Sequence, residues 1–400
     1  MNKDLYNNAL SIINYSIKQS LPYEAVRNCL KDFNNPKGKT ILISIGKAAY
    51  TMAKAAADTI TFDKGLIITK HNHSKEPINN IEIIEAGHPI PDNNSLLAGK
   101  KAMELVKNLN KNDVVLFFIS GGGSALFEDM NISLDLLKDI NDQLIRSGAD
   151  INEINTVRKR LSNIKGGRFA KLCEPAKVIN IILSDIIGDP LDSIASGPTN
   201  PDTSTYMDAV NIIDKYHLNI DKSLLNKEDI SSLNNIENHI ILNNSHLIHS
   251  AAVKARELGY DVKEINTPLT CDIYDAVSVI SSYIKEYDKD TAIIFGGEIT
   301  IGVKGNGLGG RNQHLSLSLL PLLNKNMAFF AIGSDGTDGP TDAAGGYTDY
   351  SMSSDNINDY LNDYDSYHGL DKINGLIKTG PTGTNVCDLY VLLYKKHEQK

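Results

Sequence analysis

Short, nearly uninterrupted apolar runs alternate with segments of helical periodicity along most of this chain, and that alternation leaves few folds open. Thr40–Ile45, Gly65–Thr69, Asp113–Ile119 and Lys177–Leu183 are such runs, and Ala48–Ile60 and Ser95–Leu109 are two of the helical segments between them. A strand apolar on both faces needs cover on both, and parallel sheets obtain it from their crossover helices. The pattern predicts an α/β protein with a Rossmann-like parallel sheet flanked by helices. Most of the runs end in turns of glycine or small polar residues: Gly46-Lys47, Gly121-Gly122-Gly123-Ser124 and Ser184-Asp185. Open α/β sheets bind ligands beyond the carboxyl ends of their strands, so these turns are where chemistry is expected.

Upstream, Leu5, Ala9, Ile12, Ile13 and Ile17 recur at helical spacing and predict one or two amphipathic helices within residues 4–33. Residues 219–238 are rich in Asn, Asp and Ser without strong periodicity and read as a linker. A second α/β set follows, with strands at Ile240–Asn243, Val262–Ile265, Thr291–Phe295 and Met327–Ile332 and helices at Ser245–Leu258 and Asp272–Tyr287. The expected division is an N-terminal domain over residues 1–225 and a smaller C-terminal α/β domain over 238–400. The last strand, Asp388–Tyr394, is free to join either.

A net charge of −9 argues against non-specific binding to nucleic acid or to an anionic membrane. No apolar run approaches the ~18 residues of a membrane span, and the first residues lack the apolar core of a signal peptide. Cys29, Cys173, Cys271 and Cys387 are widely spaced, as in a reduced cytoplasmic protein without a disulfide frame or zinc site.

Against that background a few stretches stand out. Gly296–Gln313, GGEITIGVKGNGLGGRNQ, carries seven glycines in eighteen residues and ends at the arginine that opens the helical run His314–Leu323. A glycine loop entering a helix suits phosphate, through free N–H groups and the positive dipole end; a plain hairpin is the other reading. Lys47 follows a strand and opens a helix, where a cation is disfavoured unless an anion sits nearby. Gly121, Gly122, Gly123 and Ser124 form a strand-to-helix turn resembling an anion cradle, although without the GK[ST] of a Walker loop. Arg158, Lys159, Arg160, Lys165 and Arg168 concentrate positive charge between 155 and 168, as either a solvated helix face or a local field for an anion. Two loops hold aspartates: Asp185, Asp189 and Asp192, then Asp335, Asp338 and Asp342. Clustered carboxylates suit Mg²⁺ or general-base work, and also ordinary turns and caps. Glycine loops, a few cations and aspartates together are the parts of phosphoryl transfer.

Taken together, GKAA at 46–49, SGGGSAL at 120–126, VRKRLSNIKGGRFA at 157–170, SDIIGDPLDSIASGPT at 184–199, the stretch 296–313, SDGTDGPTDAAGG at 334–346 and TGPTGTNV at 379–386 resemble the class II glycerate kinase family. The resemblance spans the whole chain in order. It implies an ATP- and Mg²⁺-dependent kinase that phosphorylates D-glycerate, at the 2-hydroxyl, with two domains and the active site in the interdomain cleft. It also implies D-glycerate and ATP as the partners of a monomer or homodimer. The family's essential lysine falls on Lys47 and its essential arginine on Arg311. Lys47 and Arg311 are on that basis expected to be catalytic; the loop chemistry adds Asp189 as a catalytic candidate, with Gly121–Ser124 and Arg158 to bind substrate or phosphate. Gly296, Gly297, Glu298, Gly307, Gly309, Gly310 and Asn385 are expected at the nucleotide, and Asp185 and Asp335 at the metal. The chain departs from the family's usual Thr at Ile299 and its usual Asn at Cys387.

One competing function arises inside the glycine stretch. Gly305-x-Gly307-x-x-Gly310 is a literal GxGxxG, and Asp335 ends the next strand roughly where a ribose-binding acid belongs. That combination suits an NAD(P)-dependent hydroxypyruvate reductase.

Overall fold

Six strands take up the apolar runs of the first half: β1 (Thr40–Ile45), β2 (Lys64–Lys70), β3 (Ile81–Ala86), β4 (Val114–Ile119), β5 (Lys177–Leu183) and β6 (Ile236–Leu242). They form an all-parallel sheet in the order β3-β2-β1-β4-β5-β6, the doubly wound order of a Rossmann fold. All six residues of β1 are buried, which is why TILISI carries no polar alternation. The computed structural model describes residues 1–353 and 356–396.

The chain folds as two compact units, one of Pro22–Ser184 with Asp189–Ile241, the other of Met1–Leu21, Asp185–Gly188 and Leu242–Lys400. In the first, Phe117 of β4, Phe127 and Phe169 pack with ring centroids 5.3–5.9 Å apart. A separate apolar cluster of Leu137, Ile140, Leu144, Val157, Leu161, Ile212 and Ile213 joins the helices Leu134–Arg146, Ile151–Leu161 and Tyr206–Lys215.

The second unit holds a mixed sheet of β7 (Asp261–Glu264), β8 (Thr291–Gly297), β9 (Met327–Gly333), β10 (Gly345–Asp349), β11 (Leu376–Ile377) and β12 (Asp388–Tyr394). Its order is β11-β10-β9-β12-β8-β7, with only β7–β8 a parallel pair. The strand 388–394 is thus at the centre of this sheet, between β8 and β9. The helices Ile273–Ser281 and Arg311–Leu319 cover it through Ile273, Ala276, Ile280, Leu315 and Leu319 on Phe295, Phe329 and Tyr390. The helix Lys3–Gln19 also belongs to this unit, packed on the helix Asn244–Glu257.

Two expectations need correction. The strand expected at Ile240–Asn243 as the start of the second set is β6, the edge of the first sheet, and it already begins at Ile236 inside the expected linker. Strand β3 was not anticipated, because as an edge strand it is half exposed and its IEIIEA lacks the unbroken apolar character of its neighbours. Among the described residues no helix is long and apolar enough to cross a membrane.

Candidate active site

The order of the first sheet reverses between β1 and β4, and a crevice beyond the carboxyl ends of two such strands is the ligand position of doubly wound sheets. Lys47 follows β1 and Gly121–Ser124 follows β4, so the topology brings them side by side. The Lys47 amide donates to Gly121 O at 2.9 Å and the Ala48 amide to Ser120 Oγ at 3.1 Å. The Lys47 side chain is exposed, with no ion pair among the described residues. Gly122 has φ +88°, and a Cβ there would lie 3.0 Å from the His88 ring and 3.4 Å from Lys47 Cγ, so only glycine lets the turn close under both. Among the described residues the Gly122 and Gly123 amides have no hydrogen-bond partner. Burial together with the nearby Lys47, Lys70 and His73 pushes the His88 pKa down. His88 was not singled out from sequence, where a histidine before a proline is unremarkable.

The segment 189–197 folds back onto this turn. Asp189, Ala195 and Ser196 take positive φ values of 53°, 52° and 62°, a strained geometry that persists only where the surroundings impose it. Ser196 Oγ lies 2.9 Å from Ser124 Oγ, and the Gly166 and Gly167 amides hold Ser196 O and Gly197 O.

The basic stretch is neither a solvated face nor an open positive field. Lys159 pairs with Asp202 at 3.1 Å, and Arg160 pairs with Asp229 at 2.9 Å and donates to Glu228 O. Lys165 pairs with Glu128 and donates to Ser124 O at 2.7 Å, while Arg168 donates to the carbonyls of Lys159, Lys165 and Glu228. These four are buried and paired inside the protein, with Arg160 Nε and Arg168 Nε left without a hydrogen-bond partner among the described residues. Arg158 is the exception: it is partly buried, burial pushes its pKa down, and it makes no hydrogen bond or ion pair among the described residues. Glu128, the carboxylate whose field reaches it, is already committed to Lys165.

In the second unit the glycine stretch is organised differently from its phosphate-cradle expectation. The amides of Asn306, Gly307 and Leu308 donate to Asp363 Oδ1, Asp363 O and Asp365 Oδ1. Those of Asn312 and Gln313, in the first turn of the helix Arg311–Leu319, donate to the two carboxylate oxygens of Asp338 at 3.1 and 2.8 Å. These five donors are therefore spent inside the protein. Its glycines serve close packing: a Cβ at Gly307 would lie 2.4 Å from Asp365, at Gly309 2.1 Å from Ser366 Oγ, and at Gly310 2.2 Å from Asp338. Gly296 and Gly297 close β8 against Asn244 and Leu269 in the same way. Nor is GxGxxG placed as a dinucleotide fingerprint. Thirteen residues, 298–310, separate β8 from the helix, and β8 and β9 each pair with β12, not with one another.

Arg311 opens that helix. Its Nε and Nη2 donate to Asp388 Oδ2 and Oδ1 at 2.6 and 3.1 Å, and its Nη1 lies 3.1 Å from Glu298 Oε1. Burial works against the guanidinium charge, but the Asp388 carboxylate more than offsets it and pushes the pKa further up. Cys387 beside it is buried, has φ +63° and donates its thiol to Asp185 O. Asparagine tolerates that left-handed geometry better than cysteine, in line with the Asn that the family resemblance leads one to expect there. Asn385 Oδ1 accepts from the Cys387 amide, and Asp335 Oδ1 from the Thr337 amide and hydroxyl. Among the described residues no three or more His, Cys, Asp or Glu side chains gather as a metal site.

A family described as a domain of unknown function, DUF4147, matches residues 8–227, and the MOFRL family matches residues 291–388. The chain is 44% identical to a D-glycerate 2-kinase of Thermotoga maritima, across 96% of this chain and 97% of that protein. The chain belongs to the glycerate 2-kinase family. A glycerate 2-kinase of Pyrococcus horikoshii is 38% identical across 98% of this chain and 97% of its own. The crystal structure of a glycerate kinase of Thermotoga maritima superposes with a TM-score of 0.94 at 43% identity, over 98% of this chain and 100% of that one. A more distant relative from Agrobacterium vitis, 34% identical, carries a provisional hydroxypyruvate reductase name.

Within a glycerate 2-kinase framework the expected residues fall into two clusters. Lys47, Gly121–Ser124 and Arg158 lie in the first unit, where the segment from Asp189 folds back on the same turn; Arg311, Glu298, Asn385, Asp335 and Asp185 lie in the second. The reading from sequence missed Asp388 and Asp338. Asp388 looked like the first residue of a strand and Asp338 like one aspartate among three in a loop, yet each holds a side of the Arg311 helix start.

Proposed function

We propose that this protein is a glycerate 2-kinase that transfers the γ-phosphoryl group of ATP to the 2-hydroxyl of D-glycerate, releasing ADP and 2-phosphoglycerate. The observation that carries the reading is the full-length similarity to a D-glycerate 2-kinase. Phosphoryl transfer asks a protein chiefly to position its reactants and neutralise charge. Lys47, Arg158 and the unpartnered amides of Gly122 and Gly123 supply donors for an anion at the head of the parallel sheet. Arg311 supplies a permanent positive charge with a planar fork suited to phosphate or carboxylate. Asp189 is the general base for the hydroxyl in this reading.

Asp335 and Asp185 fit a Mg²⁺ that arrives with the nucleotide. Such an ion needs one or two carboxylates, with phosphates and waters completing its shell, and no all-protein cage. When bound it would supply positive charge to offset that of the phosphates. Glu298 and Asn385 are second-unit candidates for nucleotide contact. Gly296, Gly297, Gly307, Gly309 and Gly310 act through packing.

Incubation with D-glycerate, ATP and Mg²⁺ should release ADP with no change in NAD(P)H absorbance, and ³¹P NMR should find the new phosphate on C2. Lys47→Ala and Arg311→Ala should each lower kcat by at least about 10²-fold, the usual cost of one preorganised donor to developing charge. Near wild-type turnover in both variants would remove these residues from the mechanism, and a nicotinamide signal would restore the reductase.

A further inference from the structure

We propose that Asp388 is the positioning residue of Arg311: it anchors the guanidinium by one edge and leaves the other edge to the anion. The inference rests on the reading that Arg311 acts on the substrate or the transferred phosphoryl group. An arginine at the first position of a helix is poorly placed, since the dipole repels it and its long side chain has many rotamers. Asp388 removes both problems. It is the first residue of the central strand β12, and its cross-strand partners are Gly297 on β8 and Gly333 on β9. Directly opposed residues of antiparallel strands share a face, so no side chain flanks the carboxylate from either neighbouring strand, and the carbonyls of Leu269 and Thr337 close in there instead, 2.0 and 2.7 Å from where a Cβ of Gly297 or Gly333 would lie. Asp388 grips Arg311 through Nε and Nη2.

The anchor is itself fixed. Tyr390, two residues along the same face, donates its hydroxyl to Asp388 Oδ2 at 3.1 Å, and Asn244 Nδ2 holds Asp388 O at 2.9 Å. The pair is also one-sided, because the Asp388 side chain is 2% exposed and that of Arg311 31%. The remaining nitrogen, Nη1, faces Glu298, a half-exposed carboxylate. A surface pair of that kind is weak, so an incoming anion can take the nitrogen from Glu298 without disturbing the grip of Asp388.

A merely structural ion pair and a positioning one respond differently to the same variants. Asp388→Asn keeps the shape, removes the charge, and should lower kcat about 10²-fold with a smaller change in KM, the expected result of a displaced catalytic group. Because Asp388 acts through Arg311, the double variant R311A/D388N should be no slower than R311A alone. Guanidinium ion at millimolar concentration should restore part of the R311A turnover, ammonium at equal concentration should not, and neither should restore R311A/D388N. Wild-type kcat in folded D388N, losses that multiply in the double variant, or rescue that ignores Asp388 would overturn the inference. Should D388N fail to fold, the R311A comparison decides alone: guanidinium rescue without ammonium rescue supports the anchor, and equal rescue or none rejects it. Full turnover in R311A would instead sink the functional reading beneath it.

Discussion

Arg158 shows how little a residue's charge says until its partners are known. Five cations crowd residues 155–168, and four of them are locked into buried pairs or carbonyl contacts. Arg158 is left partly buried, without a hydrogen bond among the described residues. Partial burial of an unpaired cation works against stability, and such a cost persists where function requires the charge. Arg158→Met should therefore leave the melting temperature unchanged or raise it, by up to about 1 kcal/mol of stability. It should also lower kcat/KM about 10–100-fold, the worth of hydrogen bonds to a charged group. Thermal denaturation and steady-state kinetics on one preparation check both halves; a variant that melts earlier and works normally would make Arg158 structural. The concentration of charge was legible in the sequence, and its division was not. Lys165 finds its carboxylate 37 residues away and Lys159 43 residues away, distances over which periodicity carries no information.

At the scale of the element, the helix Arg311–Leu319 gathers what the glycine stretch prepares. Glycine density announced a close approach, but not of what to what. The structure answers that the loop approaches its own chain at Asp363, Asp365 and Asp338, and that the helix is capped from 26 residues away by Asp338. The strands were easier to read, because TILISI and VVLFFI are buried on both faces and need no partner to be recognised. His314, in the first turn, stacks on Tyr364 at 5.2 Å, and its Nδ1 is buried without a partner among the described residues. Burial lowers its pKa to about 4. The unfolded chain, with a pKa near 6.5, then binds the proton first as pH falls, so stability is lost between about pH 6.5 and 4. At pH 5 the loss is about 2 kcal/mol. Asp338 runs the other way: burial raises its carboxyl to about 6, so the folded state holds that proton better and gains stability over the same window as pH falls. His314→Phe keeps the stacking and removes one of the two opposed slopes. Urea denaturation should find the variant near wild-type stability at pH 7.5 and about 2 kcal/mol above it at pH 5; a constant offset across that range would show that His314 does not titrate between the two states.

The whole molecule is not the sum of an N-terminal and a C-terminal half, since its first 21 residues belong to the unit that holds the last strands. Apolar periodicity identified the buried face of the first helix, but periodicity says only that a face is covered, never by which segment. Leu5, Ala9, Ile12 and Ile13 are essentially fully buried. Around them Asn2 N donates to Asp349 Oδ2 at 2.7 Å, Asn8 Nδ2 to Tyr260 OH at 2.9 Å, and Tyr6 packs edge-on against Tyr347. Each buried Leu or Ile contributes about 1.5–3 kcal/mol, so the helix supplies a substantial part of the marginal stability of a unit of this size. Deleting residues 1–21 should consequently damage the far end of the sequence and spare its near neighbour. Amide hydrogen exchange should show protection lost across β7–β12 and kept across β1–β5, with protection returning on addition of a peptide of residues 1–21. Loss of protection in β1–β5 to the same degree would mean that the two units unfold as one, and no loss in either would mean that the helix is dispensable. The first outcome alone places the folding of the Arg311 cluster under the control of the N-terminus, so that truncation there should abolish turnover even though no residue of 1–21 is assigned to the chemistry.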